Sequence, residues 1–161
     1  PEVDHIPHHH HPGNSPGMVD GASLALLATG EMAASLGLPV RAEIIGFSSK
    51  SAAAIEGLTG GYAAAKDVLE RTGIAGEDID LWEFNEGFAA TAMNFAKQLD
   101  VPLDRYNVNG GGIAMGHAMG ATGVNILGMM IDELERRKKH TGLIAISGAA
   151  GAGAAMVVRI H

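Results

Sequence analysis

The stretch Asn107-Val108-Asn109-Gly110-Gly111-Gly112-Ile113-Ala114-Met115-Gly116-His117-Ala118-Met119-Gly120-Ala121-Thr122-Gly123 decides how this chain is read. Glycine is dense on both sides of one histidine, and glycine lets backbone approach a ligand or a neighbouring segment closely. From His117 onward the residues turn rich in Ala, Ile, Leu and Met, and charges collect at the far end. Residues 117–138 are therefore predicted as the longest helix. His117 then stands near a helix start, where the dipole disfavours a cationic imidazole and favours a neutral proton acceptor. Two roles fit it on sequence physics: a buried, hydrogen-bonded structural histidine, or a group that moves protons.

Upstream, residues 80–84 predict a strand. Residues 86–99 predict a helix, with Phe88, Ala92, Phe95 and Leu99 at helical spacing. Between them lies Asn85-Glu86-Gly87-Phe88. An Asn at a strand end can hold a water or a carbonyl oxygen, and it can equally cap the next helix. Residues 61–72 predict an amphipathic helix with Gly73 as its stop. Residues 40–48 are rich in β-branched residues and predict a strand, and residues 31–36 predict a turn or two of helix ended by Gly37 and Pro39. The apolar run 22–29 fits strand or helix by periodicity alone. Residues 1–21, with Pro1, Pro7, Pro12, Pro16 and a histidine run, predict a loop-rich segment ahead of a domain over 22–161.

Downstream, 106–109 predicts a brief extended segment, and 142–147 and 154–160 predict two strands. The joint between those strands is Ser147-Gly148-Ala149-Ala150-Gly151-Ala152-Gly153. A dinucleotide loop opens a helix, whereas this one precedes a strand, so nucleotide binding is rejected. A plain hairpin turn remains, or a turn whose backbone N–H groups meet a developing oxyanion. Strands alternating with helices predict an α/β fold, a mixed sheet that closes in a hairpin-like pair. The glycine-rich joints fall where strand ends meet helix starts, the edge at which α/β folds bind ligands.

Composition agrees with one globular domain: 161 residues, 47% hydrophobic and 18% charged. The net charge of −7, without a Lys/Arg stripe, argues against nucleic acid as a partner. No apolar stretch is long enough to span a membrane, and no signal peptide is visible. The chain has no Cys, which removes disulfides and cysteine nucleophiles and fits a cytoplasmic protein. His8 to His11, with His5 nearby, could bind a metal; consecutive histidines rarely converge on one ion, so a solvated loop or part of a tag is the favoured reading.

Four segments, in order, resemble the C-terminal half of the thiolases. Gly13-Asn14-Ser15-Pro16-Gly17-Met18-Val19-Asp20-Gly21-Ala22 resembles the family's GNSSGxxDGA segment. Asn85-Glu86-Gly87-Phe88-Ala89 resembles NEAFA, the opening stretch resembles NxxGGAIAxGHPxGASG, and the segment from Ser147 resembles the terminal CxGxGxG turn. The resemblance implies half of a five-layer α/β/α/β/α fold with helices on both faces of a mixed sheet, and it makes 22–29 a strand. It implies a reversible Claisen condensation or thiolysis of 3-ketoacyl-CoA, with coenzyme A thioester as substrate and no other cofactor.

Roles follow from the resemblance in the same way. His117 would activate a cysteine carried by an N-terminal half on the same or another chain. Asn85 would hold a water at the thioester oxygen. Ser147 takes the place of a cysteine that moves protons at the substrate α-carbon, and Ala149 would lend a backbone N–H to a second oxyanion hole. Gly87, Phe88, Pro16 and Met18 match substrate-lining positions.

The departures define an alternative. A thiol titrates near pH 8.5 and an alkyl hydroxyl far higher, so Ser147 is a poor acid/base. Pro16 replaces a Ser and Ala118 a Pro. The chain therefore reads either as part of an acyltransferase, inactive by itself, or as a non-catalytic module that binds acyl-CoA or a partner protein. An isolated half would expose apolar surface, so homo- or hetero-oligomers are expected.

Overall fold

The structure is a computed structural model that describes residues 8–161. His5 and the prolines at 1 and 7 lie outside the described residues. In chain order the elements are α1 (Gly30–Ser35), β1 (Glu43–Ser51), α2 (Gly60–Thr72), β2 (Leu81–Phe84), α3 (Ala89–Gln98), α4 (Gly112–Met115), α5 (Thr122–Arg137), β3 (Thr141–Ser147) and β4 (Ala152–Arg159). Local chemistry sets many of the ends. Thr29 caps α1 by accepting from the Met32 N–H. Gly73 ends α2 in a left-handed conformation with its N–H donated to the Leu69 carbonyl, as the sequence predicts.

The four strands form one mixed sheet in the order β1-β4-β3-β2. β1 with β4 and β4 with β3 are antiparallel, and β2 with β3 is parallel. Asp80 accepts the His140 and Thr141 N–H groups at 2.9 and 3.1 Å, which aligns the starts of β2 and β3. Helices cover both faces. On one, α2 and α3 pack Ala64, Val68 and Phe95 against Trp82, Phe84 and Val157. On the other, α5 packs Ile126, Met130 and Leu134 against Leu81, Ile144 and Val158. Each large side chain buried here contributes roughly 2–3 kcal/mol. Phe95 also stacks on Phe84 at 4.3 Å between ring centroids. The expected α/β class with a mixed sheet is what forms.

Four expectations are corrected. Residues 22–29 form no strand. No strand of the described chain runs beside them, and Leu24, Leu26 and Leu27 are exposed; without a neighbour a strand has nothing to bond to. The long helix starts at Thr122, so His117 precedes it in irregular backbone. The helix expected from 86 starts at Ala89, because Thr91 caps it: its hydroxyl accepts the Phe88 N–H at 3.2 Å and donates to the Phe88 carbonyl at 2.7 Å. The segment 106–109 makes only single bridges. Asn107 stands at φ 43°, and its side chain takes the place of a partner strand. Oδ1 accepts from the Phe84 N–H at 2.8 Å, and Nδ2 donates to the Phe84 carbonyl at 3.1 Å.

Candidate active site

Because β2 and β3 are parallel, their C-terminal ends share one edge of the sheet. Asn85 follows β2 directly and donates its N–H to Ala145 of β3 at 3.0 Å. Ser147 ends β3 two residues later. The side chains diverge. Asn85 lines a cavity on the α5 side with Gly112, Gly116, Ala118 and Thr122. Ser147 faces α2, where its Oγ accepts the Gly61 N–H at 2.8 Å.

Asn85 does not cap the following helix. It is 4% exposed, and its Oδ1 is buried without a partner. An orphaned buried acceptor costs about 1–3 kcal/mol and calls for an explanation. His117 stands between Gly116 and Ala118, which line this cavity, though it is not itself among the lining residues. Its backbone N–H is donated to the Gly17 carbonyl at 2.8 Å, and its Nδ1 shares a 2.8 Å hydrogen bond with Thr122 Oγ1. Thr122, the first residue of α5, thereby fixes the imidazole plane and leaves Nε2 for other work.

Two clamps hold this edge together. Glu86 accepts the Ile113 N–H at 3.0 Å through Oε2, and Asn107 Nδ2 donates to its Oε1 at 3.4 Å. A Cβ at Gly111 would lie 2.5 Å from the Glu86 carboxyl carbon, so the glycine admits the clamp. On the α2 side, a Cβ at Gly153 would overlap the backbone of Gly60, and one at Gly61 would meet Ser147 Oγ at 2.7 Å. Helix α2 thus presses its N-terminus directly on the β3–β4 turn.

The remaining residues singled out by sequence sit around these. Pro16 lies against Gly112, and Met18 bridges to His117 and is exposed. Gly87 faces Leu58, and Phe88 packs on the His10 ring at 4.6 Å. Ala149 opens the exposed turn after Ser147. Asn14 holds the backbone of the histidine run, its Nδ2 donating to the His9 carbonyl and its Oδ1 accepting the His11 N–H, both at 2.8 Å, and His11 Nδ1 accepts the Gly13 N–H at 3.1 Å. Among the described residues no three His, Asp or Glu side chains gather where they could hold a metal ion, and no helix is long and apolar enough to cross a membrane.

Sequence reasoning missed Thr122, the Gly61 amide and the Glu86 carboxylate. Thr122 lies five residues after the histidine, and its hydroxyl was the one available signal. The Gly61–Ser147 contact spans 86 residues and leaves no local trace.

The family described as "Thiolase, C-terminal domain" matches residues 38–160. This chain belongs to the thiolase family. An acetyl-CoA acetyltransferase of Thiocystis violacea is 39% identical over 147 residues, which is 91% of this chain and 37% of that protein. One of Chromobacterium violaceum is 40% identical over the same shares. The crystal structure of the Bacillus anthracis acetyl-CoA acetyltransferase superposes with a TM-score of 0.88 at 35% identity, covering 93% of this chain and 38% of that one. The chain thus spans little more than a third of these thiolase relatives, and the shared part is the domain that carries Asn85, His117 and Ser147.

Proposed function

We propose that this chain supplies one half of the active site of an acyltransferase that acts on short 3-ketoacyl-CoA thioesters. The single observation that carries the reading is the cavity at the sheet edge. A buried carboxamide with an unpartnered oxygen lines it, and so does Thr122, which is hydrogen-bonded to the His117 imidazole. In this reading a cysteine from an N-terminal half, on the same or another chain, gives its proton to His117 and attacks the thioester carbon. The C–S bond to coenzyme A breaks, His117 returns the proton to the leaving thiolate, and the acyl group stays on the cysteine. A second acetyl-CoA, deprotonated at its α-carbon, then attacks that acyl carbon, forming the C2–C3 bond of the 3-ketoacyl-CoA and releasing the cysteine. Thiolysis is the same sequence in reverse. Asn85 and a water oppose the negative charge that develops on the thioester oxygen. Ser147 stands at the substrate α-carbon, Ala149 offers a backbone N–H, and Gly87, Phe88, Pro16 and Met18 contact the acyl and pantetheine parts. The assembled enzyme is an oligomer of the cytoplasm with a role in lipid metabolism.

A second reading, a thiolase-like module that binds acyl-CoA or a partner without turning it over, draws on Ser147. Its Oγ already accepts the Gly61 N–H, and a hydroxyl is a weak acid/base. The same contact makes a test. A cysteine at 147 would be the only thiol of the chain, and a helix N-terminus favours its thiolate. The chain should be co-expressed with a cysteine-bearing N-terminal thiolase half and assayed for acetoacetyl-CoA thiolysis. We expect no turnover from the 161 residues alone. Ser147→Cys in the pair should raise the rate at least ~10²-fold. Thiolysis by the isolated chain, or a pair that ignores His117→Ala, would sink the reading. A pair that binds acyl-CoA and is unmoved by Ser147→Cys would favour the binding module.

A further inference from the structure

Two side chains on one face of β2 end in oxygens that meet no donor. Glu83 Oε1 and Asn85 Oδ1 are both buried without a hydrogen-bond partner, and both residues are 4% exposed. Glu83 is in β2 and Asn85 follows that strand directly, its N–H still bonded to Ala145 of β3 and its side chain among α5 residues, so the two leave on the same side of the sheet. Leu81, two positions earlier, packs with Ile126 and Met130 of α5. Asn85 lines the cavity together with Thr122, Ile126 and Met129. Glu83 stands between Leu81 and Asn85 in sequence and, by strand alternation, on the same side of the sheet.

Native folds keep few such orphans. An amide oxygen needs a donor; a carboxylate has none to give, and a carboxylic acid has one. Burial, with the Glu86 carboxylate nearby, pushes Glu83 up to about 8, so its protonated form predominates at neutral pH. Of the other polar side chains on this side, Thr122 Oγ1 is engaged with His117 Nδ1, and the Asn125 amide, which lines the cavity with Asn85, makes no hydrogen bond to Asn85 Oδ1. Glu86 is engaged with Ile113 and Asn107. The Tyr106 hydroxyl donates to the Ala92 carbonyl on the opposite face. Ile126 and Met130 of α5 and Ile144 of β3 are apolar, and Glu133 of α5 is held by Arg136, Arg137 and Asn109.

We infer that Glu83 is a positioning residue: its carboxylic O–H is donated to Asn85 Oδ1, directly or across one water, and this turns the Asn85 NH2 toward the cavity. An amide has a donor end and an acceptor end. With the acceptor end occupied from below, Nδ2 remains as the donor for an oxygen that becomes negative. An ionised Glu83 reverses the arrangement, drawing Nδ2 down and presenting Oδ1 to that oxygen. One buried proton thus sets the polarity of the amide. The catalytic consequence rests on the function proposed above; the link between the two side chains does not.

The test uses nuclear magnetic resonance on the 161-residue chain, labelled at the Glu carboxyl carbons and Asn side-chain nitrogens. We expect Glu83 to titrate near 8 and the Asn85 NH2 resonances to shift with the same midpoint. Glu83→Gln, a permanent donor, should abolish that shift and hold Asn85 at its low-pH position, whereas Glu83→Leu should displace it. In the paired enzyme, Glu83→Gln should stay within about threefold at pH 7 and lose the alkaline limb of the kcat profile. Glu83→Leu should lose roughly a hundredfold in kcat with KM little changed. Asn85 resonances that ignore the Glu83 titration, or a Glu83 midpoint in the ordinary carboxyl range, would overturn the inference. If the leucine variant does not fold, titration of the unsubstituted chain still decides. Linked titrations without thiolysis would uphold this inference and sink the proposed function; thiolysis with unlinked titrations would do the reverse.

Discussion

Glu83 of β2 and Glu133 near the C-terminal end of α5 are equally little exposed, at 4% and 5%, yet they are opposite cases: Glu83 lies within the fold, and Glu133 is screened by its own partly exposed arginines. Glu133 accepts from Arg136 Nε and Nη2 at 2.8 and 2.6 Å, from Arg137 Nε, and from Asn109 Nδ2 at 3.1 Å. The Arg136 hydrogen bonds lead in holding its carboxyl down at about 2. Glu83 has no donor, and burial holds it up at about 8. Low exposure alone therefore does not set the state of a carboxyl; depth within the fold raises it and the supply of donors lowers it. Around Glu133 the fold is saturated, and two arginines in the last turn of α5 also suit the helix dipole. Around Glu83 it is left unsatisfied, at the edge where a ligand would sit. The difference separates a region built for stability from one that retains a cost.

The largest effect expected from this contrast comes from Glu83→Leu. At pH 9, where the buried carboxylate is ionised, the variant should be more stable by about 1–4 kcal/mol in urea denaturation. The paired enzyme should meanwhile lose turnover. A variant that is less stable at pH 9 would break the comparison.

Glu133→Ala should act the other way. It leaves Asn109 and the arginines without their acceptor and should lower stability by about 2 kcal/mol. Thiolysis at a temperature where the variant is folded should change less than about twofold.

The two groups should also tilt stability in opposite directions with pH. Glu83 is raised from 4.5, so its contribution is complete below 4.5 and declines as pH rises to about 8. Glu133 is lowered, so its contribution is complete above 4.5 and declines as pH falls toward 2. Urea midpoints measured across pH should show both limbs. Glu83→Gln should remove the first and Glu133→Gln the second.

The smallest effect belongs to Arg41. It pairs with Asp132 at 2.6 Å and Glu135 at 2.7 Å, distances as short as those at Glu133, but these side chains are largely exposed. Arg41→Ala should shift stability by no more than about 0.5 kcal/mol and less still in high salt. A shift of 2 kcal/mol would show that contact distance, rather than burial, governs this chain.

Much of the scaffold was legible along the chain. The helix ending at Gly73, the apolar strand before Asn85 and the closing pair of strands follow from periodicity and end signals within a few residues. The apolar run 22–29 misled, because its periodicity fits strand or helix, the resemblance to thiolases chose strand, and nothing local reveals whether a neighbour exists. The start of α5 misled as well: the Ala/Gly run around His117 looks helical, and the backbone there is instead tied to Gly17. At the site, Asn85 and His117 stood out through residue type and setting. Thr122 and the Gly61 amide did not, since neither carries a signature apart from the group it touches. Glu83 looked like one more charged residue in a strand.

The chain's own order of residues determined the kinds of element, their succession and the α/β class, because those depend on contacts among near neighbours and on where glycine or a capping hydroxyl interrupts a pattern. The tertiary structure alone decided which polar groups find partners. Gly61 reaches Ser147, and Asn109 reaches Glu133; no donor from a distant part of the described chain reaches Glu83 Oε1 or Asn85 Oδ1. Whether a buried oxygen is satisfied depends on donors brought from distant parts of the chain, and only packing determines which of them arrive.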